Sequence, residues 1–151
     1  MNKQGFAVIA LSLQGCSPFV FKLPSNPIPN CQLEVQDTRA KPGTLRTVYT
    51  LPTMFGTADG YFKMLPSPAE WTRQQLCRVP KYFSEPKTLE LTQLKCHMDG
   101  TFSEATGFLE LTLKGEEKVT HRVDLTIEGA GVGIGDFCDQ AFYKLTEQLV
   151  L

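Results

Sequence analysis

The chain has 151 residues, with 15 basic and 16 acidic side chains and a formal net charge of -1. That balance excludes a nucleic-acid binder working by bulk positive charge, and a hydrophobic share of 42% against 21% charged excludes a disordered chain. The length suits one domain around one core, and no apolar run reaches the roughly 18 residues of a transmembrane helix.

The chain opens with a short positive segment, Lys3 plus the free amine. An apolar run from Phe6 to Leu13 follows, of the length of a signal-peptide core. Then comes Leu13-Gln14-Gly15-Cys16: an apolar residue, a variable one, a small one and a cysteine. This resembles the lipobox of bacterial lipoproteins. The resemblance implies export, diacylglyceryl transfer to Cys16 and cleavage before it, so that residues 1–15 are a signal peptide. It also implies sorting to the outer membrane, because Ser17 stands where an Asp would favour inner-membrane retention. The alternative is a cytosolic protein with no signal peptide, in which residues 1–15 are a buried first element.

Four cysteines remain once Cys16 carries lipid: Cys31, Cys77, Cys96 and Cys138. They allow three pairings, and sequence does not choose among them. A periplasmic site permits disulfides; the other reading is four small buried hydrophobes. There is no Cys-x-x-Cys, and His97 and His121 are not at ligand spacing, so no metal and no cofactor are expected.

Residues 16–30 read as a tether, with Pro18, Pro24, Pro27 and Pro29 suppressing both helix and sheet. Cys31 to Gln36 alternates apolar and polar, a half-buried strand. Residues 38–66 read as short strands or a long loop among Pro42, Gly43, Pro52, Gly56, Gly60 and Pro66. Ser67-Pro68-Ala69-Glu70 is a helix start, with Ser67 as cap and Glu70 completing a capping box. That helix is predicted to run through Trp71, Leu76 and Cys77 and to stop near Val79, before Pro80.

Three strands are predicted next. Leu89 to Met98 changes apolar parity between Leu91 and Leu94, which places a bulge near Gln93. Asp99-Gly100 is a turn signal. Leu109, Leu111 and Leu113 share one face of the second strand, and Gly115 to Lys118 is the next turn. In the third, Val119, His121, Val123, Leu125 and Ile127 face one way and Thr120, Arg122, Asp124, Thr126 and Glu128 the other. This is an antiparallel meander with one wet face.

The alternating glycines from Gly129 to Gly135 are not a phosphate loop, since neither Gly-x-Gly-x-x-Gly nor Lys-Ser/Thr is present. Their expected role is to bare one strand face for close approach. Asp136 is the expected cap of a last helix whose Phe137, Cys138, Ala141, Phe142, Leu145 and Leu149 form a covering face. The fold class is α+β: an antiparallel sheet of about four strands covered by two helices, the C-terminal helix last. Residues 31–151 form the domain.

Neither histidine sits in a catalytic motif, and no Asp/Glu pair stands out, so no enzyme is expected. Met54, Phe55, Tyr61 and Phe62 lie in the irregular stretch, where such residues either plug the core or form a sticky surface. Trp71 on its helix is core or, at a groove, an anchor. These five are the candidate partner-binding residues.

The element order, the Asp37-Thr38-Arg39 triplet after the first strand, the glycine-rich stretch and the final Ala141 to Leu149 helix together resemble small outer-membrane lipoproteins of the YajG type. They also resemble the auxiliary lipoproteins of ABC-type lipid transport systems and the lipopolysaccharide-assembly lipoprotein. The resemblance covers residues 31–151. It implies a non-catalytic protein held by lipid at the periplasmic face of the outer membrane. Such a protein acts as adaptor or assembly factor for a membrane or secretion complex, with an envelope protein as partner and no nucleic acid. The alternative is a periplasmic module that binds a lipid or small ligand in an apolar cavity.

Overall fold

The computed structural model describes residues 19–20, 31–50, 56–78 and 86–149. Cys16, Ser17, Met54 and Phe55, the expected signal peptide and the tether from residue 21 lie outside the described residues. The elements in chain order are strands β1 (Phe19–Val20), β2 (Leu33–Asp37), β3 (Thr44–Thr50) and β4 (Thr57–Leu65), helix α1 (Pro68–Leu76), strands β5 (Lys87–Gly100), β6 (Glu104–Lys114) and β7 (Lys118–Glu128), and helix α2 (Ile134–Leu149).

The meander is present: β5 pairs antiparallel with β6, and β6 with β7. The sheet is larger than expected. It is mixed and has seven strands, ordered β1-β4-β3-β5-β6-β7, with β2 also on β5. Two things account for the difference. The stretch read as irregular holds an antiparallel hairpin, Thr44↔Lys63 to Thr50↔Thr57, built from β-branched and aromatic residues. In addition, β2 and β3 both run parallel to β5, along Lys87–Leu91 and Lys95–Asp99 respectively. They are two pieces of one edge, separated by an excursion over residues 38–43.

Asp37 holds that excursion. Its Oδ2 accepts from the Gly43 N–H at 3.0 Å and from Arg39 Nη2 at 2.7 Å, and its Oδ1 accepts from Arg39 Nε at 2.8 Å. Gly43 adopts φ +82°, which favours glycine, as the chain turns back into β3. On the opposite edge of β5, the register with β6 shifts between Leu91 and Gln93.

Ser67 accepts from the Glu70 N–H at 3.2 Å, and Pro68 opens α1 where its missing N–H costs nothing. The helix ends at Leu76 with Cys77 as C-cap, three residues before the expected stop. In α2 the first residue is Ile134, so Asp136 lies inside the first turn rather than at the cap. There it still favours the positive helix end. The glycine-rich stretch is a connection, not a bared strand. Gly129 and Gly131 have φ of +123° and +75°, and nothing lies within 4 Å of where their Cβ would be, so turn geometry rather than close approach requires them.

Both helices lie on one face of the sheet. Leu33, Leu45, Leu91, Leu94, Met98, Leu109, Leu111, Leu113 and Val123 point to that face and meet Phe137, Ala141, Phe142, Leu145 and Leu149 of α2. Trp71 is only 3% exposed and meets Phe142 edge-on at 4.9 Å and 73°. It is a core residue joining the helices, not a groove anchor. Disulfides Cys31–Cys77 and Cys96–Cys138, with Cα–Cα separations of 5.5 and 6.1 Å, tie α1 to the start of β2 and α2 to β5. No described helix is long and apolar enough to cross a membrane.

Candidate functional site

Among the described residues, no helix covers the other sheet face. Strand alternation places the outward residues in two adjoining rows. One row runs Asp59, Val48, His97, Phe108, Asp124, and the next Tyr61, Arg46, Lys95, Glu110, Arg122. Each row crosses β4, β3, β5, β6 and β7, so five strands contribute one residue each to a continuous surface.

Phe108 is the centre of this face. The His97 ring stacks on it at 5.1 Å between centroids and 3° between planes. The Arg122 guanidinium lies 3.9 Å from the same ring and Lys95 Nζ 5.4 Å. Such cation–π contacts are each worth about 0.5–1 kcal/mol at exposed sites. Arg122 is held in turn by Asp124 at 3.1 Å and Glu110 at 3.5 Å. Gly107 sits beside this cluster: a Cβ there would run into the His97 carbonyl, so glycine lets β6 approach β5 at this point. An open cavity of about 500 Å³ lies beside the cluster, lined by His97, Asp99, Phe108, Arg122, Asp124 and Lys144.

His97 Nε2 lies 3.2 Å from Asp99 Oδ2, an imidazole–carboxylate pair on one strand face. The nearby Thr106 hydroxyl is spent on Thr126 Oγ1 at 3.0 Å and the Leu125 carbonyl at 3.5 Å. Among the described residues no three His, Cys, Asp or Glu side chains cluster as metal ligands. The arrangement offers stacking surfaces, guanidinium and ammonium donors and carboxylates, groups able to recognise a partner or ligand.

A second cavity of about 170 Å³ opens on the same face, at the excursion between β2 and β3. Arg39, Lys41, Arg46, Tyr61, Gln93 and Lys95 line it. Lys41 Nζ stands 4.5 Å from the Tyr61 ring centroid. Arg46 bonds Asp59 with Nε at 3.2 Å and Nη2 at 2.7 Å. The Asp37–Arg39 pair beneath has side chains only 9% and 11% exposed. Burial alone would raise the Asp37 carboxyl, but the Arg39 guanidinium and the Gly43 N–H outweigh it and hold it below the usual carboxylate value. Asp59 is likewise lowered by its Arg46 partner.

Of the residues singled out in the sequence, Tyr61 stands on this open face, 47% exposed. Phe62, next along β4, is half-buried on the helix side, and Trp71 is core. His121 is half-buried on the helix side of β7. Phe108, Lys95, Arg122 and Arg46 were passed over in the sequence. The signal for them was the polar alternation itself: once β7 is read as a strand with one wet face, Arg122 and Asp124 mark that face.

The class defined is an α+β protein with helices on one sheet face and a charged, aromatic opposite face. No family model and no curated protein matches the chain. Among solved structures, one described as an uncharacterized protein shares 14% identity over 88% of this chain and 94% of its own, with a TM-score of 0.42. Another, a Xanthomonas campestris protein of the DUF330 family, shares 14% identity over 89% of this chain and 92% of its own, with a TM-score of 0.34. Neither lends this chain a function.

Proposed function

We propose that this chain is a non-catalytic, lipid-anchored protein of a bacterial cell envelope that acts as an adaptor or assembly factor. Its anchor is Cys16, and its open sheet face, around Phe108, Arg122 and Tyr61, receives a protein partner. The observation that carries the reading is the cysteine pattern. The four cysteines among the described residues are joined in two disulfides, and disulfides of this structural kind belong to oxidising compartments. The fifth, Cys16, follows the short basic and apolar run that resembles a lipoprotein signal. A lipoprotein's several acyl chains would make the anchoring durable, where one chain binds reversibly.

The test is the intact mass of the protein taken from its native membrane. The expected species begins at Cys16 and carries acyl mass, and Cys16→Ser releases the protein from the membrane fraction. An unmodified chain beginning at Met1 would overturn the reading. One observation favours a second reading, a lipid- or small-ligand-binding module. A groove of about 900 Å³ at the far end of the sheet is lined in part by Leu76, Leu89, Leu113, Val119 and Leu149. Polar side chains, Gln36, Lys87, Glu90 and Gln148, line it as well, which makes it a weaker lipid site than a closed apolar cavity. A lipid retained in native mass spectra would favour it.

A further inference from the structure

We propose that the notch between β2 and β3 binds a phosphate-type oxyanion. The notch exists because the parallel edge is interrupted: β2 pairs with β5 as far as Leu91 and β3 pairs with it only from Lys95. The excursion over residues 38–43 fills the opening from the side, and its own Asp37–Arg39 bridge fixes it. Four cationic side chains converge on the resulting cavity of about 170 Å³, two from the excursion (Arg39, Lys41), one from β3 (Arg46) and one from β5 (Lys95).

The local carboxylates do not neutralise them all. Asp37 is bonded to Arg39 and Asp59 to Arg46. Glu110, across the ladder from Lys95, bonds Arg122 instead. Lys41 and Lys95 are placed over aromatic rings, at 4.5 and 5.4 Å; Lys95 also helps to lower the Asp59 carboxyl through its charge, but the hydrogen bonds to that carboxylate come from Arg46. Counting Arg122 and its two carboxylates, Glu110 and Asp124, five cations face four carboxylates, so one positive charge is left over, in a protein whose net charge is -1. Each arginine binds its carboxylate through Nε and Nη2, which leaves Nη1 to donate. Gln93 accepts from the Thr112 hydroxyl through Oε1 at 3.0 Å, which leaves its amide N–H2 as a further donor. Donors on three sides of a small cavity suit a tetrahedral oxyanion with several acceptor oxygens, and guanidinium groups already held by carboxylates are ordered before the ligand arrives.

The ligand chemistry has two sources, a free phosphate or a phospholipid headgroup, and two arms of one experiment separate them. Both use the Cys16→Ser chain, so the outcome is independent of lipid anchoring. In the first, inorganic phosphate is titrated at constant ionic strength against chloride, with the Gln93 and Lys95 amide resonances as readout. Saturable shifts are expected, and affinity should fall at least about tenfold in Lys41→Ala/Lys95→Ala, where two charge-assisted contacts are lost. Among the described residues neither lysine side chain makes a hydrogen bond, and Lys95 joins the sheet through its backbone, which substitution keeps; Lys41→Gln/Lys95→Gln repeats the test with the stems retained. In the second arm, the same chains are sedimented with phosphatidylcholine vesicles with and without phosphatidate. Phosphatidate-dependent sedimentation that both lysine variants lose assigns the headgroup; phosphate binding without it assigns the free anion. If phosphate shifts do not saturate and sedimentation ignores phosphatidate, or if the lysine variants bind as before, the proposal is wrong.

Discussion

Asp37 shows how one carboxylate can organise a sheet edge. It ends β2, bonds Arg39 through both oxygens and pins Gly43 as β3 begins. Its folded-state value is lowered, so it contributes stability above the unfolded carboxylate value of about 3.9 and loses it as pH falls through the lower folded value. Asp37→Asn should therefore destabilise the protein at neutral pH by about 2 kcal/mol, since it leaves the half-enclosed Arg39 without its counter-charge. The gap between parent and variant should narrow below about pH 4. Urea unfolding of both chains at neutral and acid pH checks this. A gap of the same size at both would mean that the hydrogen-bond geometry, not the charge, carries the effect. Asp59, also lowered, is present in both chains and cancels in the comparison. The Asp37-Thr38-Arg39 triplet was visible in the sequence, but only as part of a resemblance. Its work in closing a gap in the sheet needed the tertiary pairing to become visible.

The covering layer is tied to the sheet by covalent bonds as well as by packing. Cys96 and Cys138, both fully buried, join the middle of β5 to α2 over a sequence separation of 42. In the chain-entropy account a loop of that length is worth about 4 kcal/mol. Cys96→Ala/Cys138→Ala should lower Tm by on the order of 15 °C in non-reducing thermal unfolding, and reductant should bring the parent chain down towards the variant. A variant that melts with the oxidised parent would show that packing alone seats α2. The elements whose pattern was local were legible beforehand. The α1 start was written in Ser67-Pro68-Ala69-Glu70, the β7 strand in ten residues of strict alternation, and the bulge in the parity change before Leu94. The parallel pairings of β2 and β3 with β5 were not legible. Their partners lie about fifty residues away in sequence, and the excursion between them breaks the period-two pattern that would have joined them. The β3–β4 hairpin was obscured for a related reason: prolines and glycines at 52, 56 and 60 weaken each strand's own signal, and only the cross-strand register restores it. Tyr61 was consequently suspected of stickiness without being placed on a face, and Lys95 and Phe108 were passed over.

At the scale of the whole molecule, the sheet treats the outer edges of β7 and β4 differently. At one edge, α2 reaches over β7: Lys144 Nζ donates to the Asp124 carbonyl at 2.7 Å and Gln148 Nε2 to the Arg122 carbonyl at 3.2 Å. These bonds occupy acceptors that another strand would need, which is one way natural sheets blunt an edge. At the other edge, β1 covers only Met64 and Leu65 of β4, so Thr57 to Lys63 have no strand on that side among the described residues. That stretch borders the open face that the proposed function assigns to a partner, and an added strand there would extend the sheet. Native-state hydrogen exchange tests the asymmetry. The interior strand β6, paired on both sides, should exchange slowly throughout. In β4, the amides bonded to β3 should be slow and those between them fast, a period-two pattern over residues 57–63. Uniform protection of β4 would mean that another part of the chain or a second copy already occupies the edge, and the partner would then have to meet the sheet through its face, at Phe108 and Arg122, rather than by strand addition.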